Sequence, residues 1–260
     1  MNSSHRPKKS LGQNFLTDTR IQQKIIQACD LKLEDVVLEI GPGQGALTRL
    51  IAPKVKRLIC VETDSDLIGP LRSGISSSVE VIHADFLKWD MSHLPLGGKV
   101  IGNIPYYIST PIIEKLIQDR TKLSAVFLTV QLEFGERLIA KPGGKDYGSL
   151  SCFAQYHADI KMLFKIKNTC FKPVPKVDSC FLRLMMRSGA QESASDEKFL
   201  FKLIQTAFQQ RRKNIVNSLK SLMGREKLEG SLKALSINPN ARPENLTLSN
   251  YIALSNHLMV

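Results

Sequence analysis

No stretch of this sequence stays apolar over the roughly 20 residues a membrane-crossing helix needs, and no apolar signal core follows the basic start at His5, Arg6, Lys8 and Lys9. A membrane protein is therefore not expected, and the expected location is the cytoplasm. A mitochondrial transit peptide has little room, because patterned sequence begins at Lys8. The five cysteines (Cys29, Cys60, Cys152, Cys170, Cys180) are odd in number and contain no CxxC pair. They read as buried thiols of a reducing compartment rather than a disulfide framework, and no metal site is expected. Internal repeats and low-complexity tracts are also missing. Acid is scarce: 24 Asp and Glu stand against 36 Lys and Arg, a formal net charge of +12. Such an excess, spread in patches among ordinary core segments, predicts an anionic partner, and nucleic acid before any other.

What is present is a full core. Of 260 residues, 43% are apolar, enough for one large domain with a smaller appendage. The β-rich run Asp35 to Ile40 leads into Gly41-Pro42-Gly43-Gln44-Gly45-Ala46, and Leu47, Leu50 and Ile51 then give one face of a helix ended by Pro53. Strand, glycine loop and helix in that order bring backbone amides close to a ligand. Gly41, Gly43 and Ala46 also satisfy a relaxed dinucleotide pattern, so a nicotinamide cofactor has to be weighed.

Glu62 ends the next strand, Arg57 to Val61, about 20 residues past the loop, where an acid can hold ribose hydroxyls. Val79 to His83 forms a third strand ending in Ala84-Asp85, and Lys99-Val100-Ile101 a fourth ending in Gly102-Asn103-Ile104-Pro105-Tyr106. The βαβαβ order predicts an α/β doubly wound sheet, whose ligands bind at the carboxyl edge of the strands. Glu39, Glu62, Asp85 and Asn103 then converge on one edge. The turn at Asn103 suits a flat ring bearing an amine: the Asn103 side chain and the Ile104 carbonyl can each accept a hydrogen bond, and Tyr106 offers a face. Asn and Pro doing ordinary turn work is the plain alternative.

Upstream, Lys8 to Leu16 is a polar lead-in that reads as a frayed tail or a flap over a ligand, with Thr17 or Asp18 capping the helix that follows. Downstream, the spacing predicts a helix over 111–119, a strand over 125–130, a helix over 134–139 closed by Pro142-Gly143-Gly144, and strands over 160–166 and 180–186. Lys145 to Gly148 reads as a surface loop beside the substrate. Between the last two strands, Cys170 to Ser179 carries Pro173 and Pro175, which hold it extended; Phe171 could plug the core, but Lys172 and Lys176 favour its exposure. Small polar residues from Ser188 to Ser195 form a linker, followed by helical patterns only. There the run Arg211-Arg212-Lys213 is either a solvated helix face or a phosphate-binding cluster.

Seven motifs in order carry a resemblance: Gly12 to Leu16, Leu38 to Gly45, Val61-Glu62, Ala84-Asp85-Phe86, Gly102 to Tyr106 with Ile108 to Pro111, Phe171 to Ser179, and Phe208 to Lys213. Together they resemble the small-subunit ribosomal RNA adenine dimethyltransferases of the KsgA type. The resemblance implies a class I S-adenosylmethionine-dependent methyltransferase, with a Rossmann-like, mostly parallel seven-stranded sheet over 1–188 and a small all-α RNA-binding domain over 189–260. Asn14 and Leu16 would close over the cofactor, Gly41 lie on its methionine part, Glu62 hold the ribose and Asp85 the adenine amine. Asn103 would stand between cofactor and target, Ile104 would accept from the target amine, and Tyr106 and Phe171 would sandwich the base. Arg211, Arg212 and Lys213 would dock RNA. The implied reaction is dimethylation at N6 of two adjacent adenosines near the 3′ end of small-subunit RNA, in a pre-30S particle, by a monomer.

The erythromycin-resistance methyltransferases, which act on large-subunit RNA, share the Asn-Ile-Pro-Tyr turn, but Gly12-Gln13-Asn14 and Phe208 to Lys213 favour the small-subunit family. A non-catalytic assembly factor would not need Glu62, Asp85 and Asn103, and a nicotinamide oxidoreductase has no task for Asn103 to Tyr106. One departure is Tyr107, where relatives commonly carry Asn.

Overall fold

β2 (Val36–Ile40) is buried along almost its whole length, as a strand covered on both faces must be, and it forms the axis of the larger unit. The computed structural model describes residues 6–73, 76, 78–187 and 193–259; most of the expected 188–195 linker lies outside them. Ahead of β2 come the two-residue β1 (Phe15–Leu16) and α1 (Thr19–Ala28), whose N-cap is Asp18: its carboxylate accepts the amides of Arg20 and Ile21. After it follow α2 (Thr48–Ile51), β3 (Arg57–Glu62), α3 (Ser65–Ser73), β4 (Val79–His83), β5 (Gly98–Asn103), α4 (Ser109–Gln118), β6 (Leu123–Gln131) and α5 (Leu132–Leu138). Next are α6 (Ser149–His157), β7 (Ala158–Ile166), β8 (Phe171–Lys172) and β9 (Ser179–Met186). The chain then turns wholly helical in α7 (Glu197–Gln209), α8 (Ile215–Leu219), α9 (Arg225–Ala234) and α10 (Leu248–Leu258).

Seven strands form one sheet in the order β4-β3-β2-β5-β6-β9-β7. β4, β3, β2, β5 and β6 run parallel, and β9 pairs antiparallel with β6, from Ala125↔Met185 to Gln131↔Ser179. Strand order reverses between β3 and β5, on either side of β2, so a crevice opens at the carboxyl ends there. β1 and β8 form a separate two-stranded sheet that the sequence pattern does not announce.

The described residues divide into two compact units: those up to Gly135 with Asp159–Met186, and Glu136–Ala158 with those from Arg187 on. The second unit therefore takes more than the stretch after 188, because 136–158 packs with it. Tyr147, Cys152 and Tyr156 join Leu200, Leu203 and Tyr251 in its apolar core. Tyr147, expected on a surface loop, is 1% exposed. Its ring meets Phe208 edge-on at 5.9 Å between centroids, and its hydroxyl lies 3.1 Å from the Cys152 Sγ. Helix α6, which supplies Cys152 and Tyr156, was not foreseen in the sequence. All five cysteines are free, four of them buried and Cys170 partly so.

Candidate active site

Each parallel strand from β4 to β5 carries a polar side chain at or within two residues of its carboxyl end, and these line one cavity of about 410 Å³: Glu39, Glu62, Asp85 and Asn103. Asn14, Leu16, Gly41, Ile104 and Tyr106 line it too, so the structure brings together every sequence-identified residue of this edge. Gly43 must be glycine: its φ is +58° and a Cβ there would stand 3.0 Å from the Phe15 ring.

Glu62 is buried, and each of its oxygens accepts one backbone amide, Oε2 that of Gly43 at 3.0 Å and Oε1 that of Asp64 at 2.9 Å, which leaves each oxygen a further lone pair. These bonds tie the glycine loop to the end of β3. Burial pushes the Glu62 carboxyl above its ordinary range, against the pull of the amides. Glu39 is 2% exposed and is pushed up to about 7, mainly by burial and further by the neighbouring Glu62 charge, while the nearby Thr48 hydroxyl and the Cys60 thiol, 3.5 Å from Oε2, oppose the shift. Asp85 is exposed at the cavity wall, where its Oδ1 accepts the Leu87 amide at 2.9 Å.

At the end of β5 the Asn103 Nδ2 donates to the Asn14 backbone carbonyl at 2.9 Å. With its nitrogen committed, the amide offers its oxygen as an acceptor. Tyr106 is half-buried beside it, its hydroxyl 2.8 Å from that of Ser179, which fixes the ring. The Tyr106 phenol is raised above its usual range, chiefly by burial.

Phe171 does not join this cavity. It was expected exposed and opposite Tyr106, yet it is 2% exposed and packed with Leu16, Ile25 and Phe181. The cause is the β1–β8 pairing, which sets Phe171 against Leu16 and turns the ring into the core, where burying it is worth about 2–3 kcal/mol. Arg211, Arg212 and Lys213 lie in the turn between α7 and α8, not on a helix face. Arg211 pairs with Glu244 at 3.1 Å and donates to the Lys145 carbonyl at 2.9 Å, whereas Arg212 and Lys213 are exposed. Sequence reasoning passed over Tyr107 as a contact residue, although it lines the cavity, and over Asp64. The Glu62-Thr63-Asp64 spacing, two acids at a strand end, was the available signal.

Sheet order, glycine loop and acid-lined edge define a class I methyltransferase, and the residues fit S-adenosylmethionine. Buried carboxylates face the cavity, a glycine allows close approach, and the volume suits a nucleoside-sized ligand. The model of the family described as ribosomal RNA adenine dimethylase matches residues 4–259. Curated relatives called ribosomal RNA small subunit methyltransferase A are 39% identical in Geobacillus thermodenitrificans (97% of this chain, 91% of the relative) and 40% identical in Francisella tularensis subsp. novicida (96% and 97%). Among solved structures, a dimethyladenosine transferase from Plasmodium falciparum superposes with a TM-score of 0.82 at 26% identity (92% of this chain, 95% of that one). The 23S rRNA methyltransferase ErmE gives 0.75 at 27% identity (95% and 100%). The chain belongs to the ribosomal RNA adenine dimethylase family and is an S-adenosylmethionine-dependent methyltransferase. Among the described residues, no helix is long and apolar enough to cross a membrane.

Proposed function

We propose that this chain dimethylates N6 of two adjacent adenosines in a loop near the 3′ end of small-subunit ribosomal RNA, acting as a cytoplasmic monomer on a pre-30S particle. The observation that carries the site assignment is the Asn103 amide, held by Asn14 with its oxygen left to accept. S-adenosylmethionine, when bound, supplies an electrophilic methyl group. Glu62 and Gly41 hold its ribose and methionine parts, Asp85 takes the adenine amine, and Asn14 and Leu16 close over it.

The target N6 amine is a weak nucleophile because its lone pair is delocalised into the ring. The Asn103 side-chain oxygen and the Ile104 carbonyl accept its two hydrogens, which polarises the nitrogen and aims it, so positioning and electrostatics replace a strong base. Tyr106 stacks on the ring, worth roughly 1–3 kcal/mol, against a few kcal/mol for taking the base out of its stack. Phe171, buried as it is, does not return a second face, so an already unstacked loop adenosine is the preferred substrate. Arg212 and Lys213 offer exposed charge to phosphate, and Arg211 shares its charge with Glu244.

The test is transfer of labelled methyl groups from S-adenosylmethionine to under-methylated small subunits and to large subunits, with product analysis for dimethyladenosine. Label on small-subunit RNA is expected. Label only on large-subunit RNA would assign the resistance-type reaction, and label on neither would leave an assembly factor.

A further inference from the structure

The lead-in from Lys8 to Thr17 is fastened at both ends. At one end it meets Asp64, two residues past Glu62. The Asp64 Oδ1 receives Lys8 Nζ at 2.5 Å, and its Oδ2 receives Gln13 Nε2 at 2.6 Å. Gln13 in turn accepts the Lys8 amide at 2.7 Å, and Lys8 Nζ also reaches Asp66 at 2.7 Å. At the other end β1 pairs with β8, and the Thr17 amide donates to the Cys170 carbonyl at 2.8 Å. Between the fastenings, Gly12 holds φ +60° beneath Tyr107, whose ring a Cβ there would meet at 3.1 Å. Two residues further on, the Asn14 carbonyl takes the Asn103 amide proton.

The Asp64 side chain is fully buried, whereas Lys8 is 37% exposed. A carboxylate withdrawn from water needs a partner, and Lys8 of the lead-in supplies a cation. Lifting the lead-in would take the Lys8 cation and the Gln13 amide away from this carboxylate, whose Oδ1 also accepts the Asp66 amide at 3.1 Å. The lead-in is thus a strap held down by a buried acid, and the same strap sets which way the Asn103 amide faces. Resting on the role proposed for Asn103, we infer that Asp64 is a positioning residue for methyl transfer. It acts through Lys8 and Gln13 to hold the 8–16 strap, and through the Asn14 carbonyl it orients Asn103.

The test uses the full-length chain with three substitutions: Asp64→Asn, Lys8→Met and Lys8→Arg. Lys8→Met removes the clasp from the solvent side without touching the core, which guards against a simple folding failure of Asp64→Asn. Three quantities are measured: hydrogen exchange of the amides of 10–16, the dissociation constant of S-adenosylhomocysteine, and the single-turnover rate with cofactor and small-subunit RNA both saturating. Expected are faster exchange in 10–16 with β2 to β5 unchanged, and a fall in the saturated rate of roughly 10- to 100-fold, as slight misplacement of a reacting group produces. Lys8→Arg should restore the rate, and the double variant Asp64→Asn with Lys8→Met should lose no more than the worse single one. Unchanged exchange in 10–16, a loss confined to cofactor affinity with the saturated rate intact, or additive losses would each overturn the inference. Absence of methylation by the unaltered chain would instead sink the proposed function, and the exchange measurement, which needs no RNA, would still judge the strap.

Discussion

At the carboxyl edge of the sheet, Glu62 and Asp64 are buried acids whose oxygens accept amides and side chains of their own unit, while in the turn after α7 the cations Arg212 and Lys213 stand exposed. The two regions carry opposite charge and also opposite physics. Buried, hydrogen-bonded groups act through position and are little affected by salt, whereas exposed cations act through their field and number, which salt screens. Arg211 is intermediate, tied to Glu244 but partly open to solvent. Substitutions at the edge should therefore alter rate or cofactor affinity at any ionic strength, and substitutions in the turn should alter only the salt-dependent part of RNA binding.

The sharpest break would come from Asn103→Ala, which removes the acceptor at the target amine. Turnover is expected to fall at least about 100-fold with the S-adenosylhomocysteine dissociation constant within roughly 3-fold of the unaltered chain, as loss of a preorganised hydrogen-bonding group does. Calorimetry beside single-turnover rates checks it, and equal losses in both would erase the division of labour. Glu62→Ala should do the reverse. It frees the Gly43 and Asp64 amides and weakens cofactor binding by about 10- to 100-fold, with a smaller change in the saturated rate.

Glu39 tests burial as the main cause of a shift. Its folded pKa of about 7 lies above the ordinary carboxyl value, so the folded chain keeps a proton that the unfolded chain gives up. The stability this confers is complete below about pH 4.5, is lost as pH rises to about 7 and stays lost above, a change of about 3 kcal/mol. Denaturant unfolding at pH 5 and pH 8 should show that decline, and Glu39→Gln should flatten it; an unflattened curve would place the titrating group elsewhere.

The smallest effects belong to the turn. Arg212→Ala and Lys213→Ala should each weaken RNA binding mildly and lower the slope of log affinity against log salt by about 1. Arg211→Ala should lower the slope less and cost more stability, because it leaves Glu244 and the Lys145 carbonyl without their partner. A slope unchanged in all three would remove the turn from the RNA surface.

The alternation of apolar strands with glycine, acid and amide ends is enough to place Glu39, Glu62, Asp85 and Asn103 on one edge. A parallel sheet leaves no freedom in which end of a strand faces the crevice. Gly41 and Tyr106 were legible for the same reason, since each lies within three residues of a strand end. Phe171 and Tyr147 were misread because each sits in a polar, proline- or glycine-bearing stretch whose local composition signals exposure. What buries them is pairing with β1 in one case and packing under α6 in the other.

Local pattern thus determined the sheet, the loop and the identity of the groups around the cavity, because hydrophobic periodicity and strand order are properties of neighbouring residues. Tertiary structure alone decided that Lys8 and Gln13 meet Asp64, more than fifty residues away along the chain, and that Asn14 meets Asn103. A buried carboxylate selects its partner by distance in space, and no spacing along the sequence records that choice.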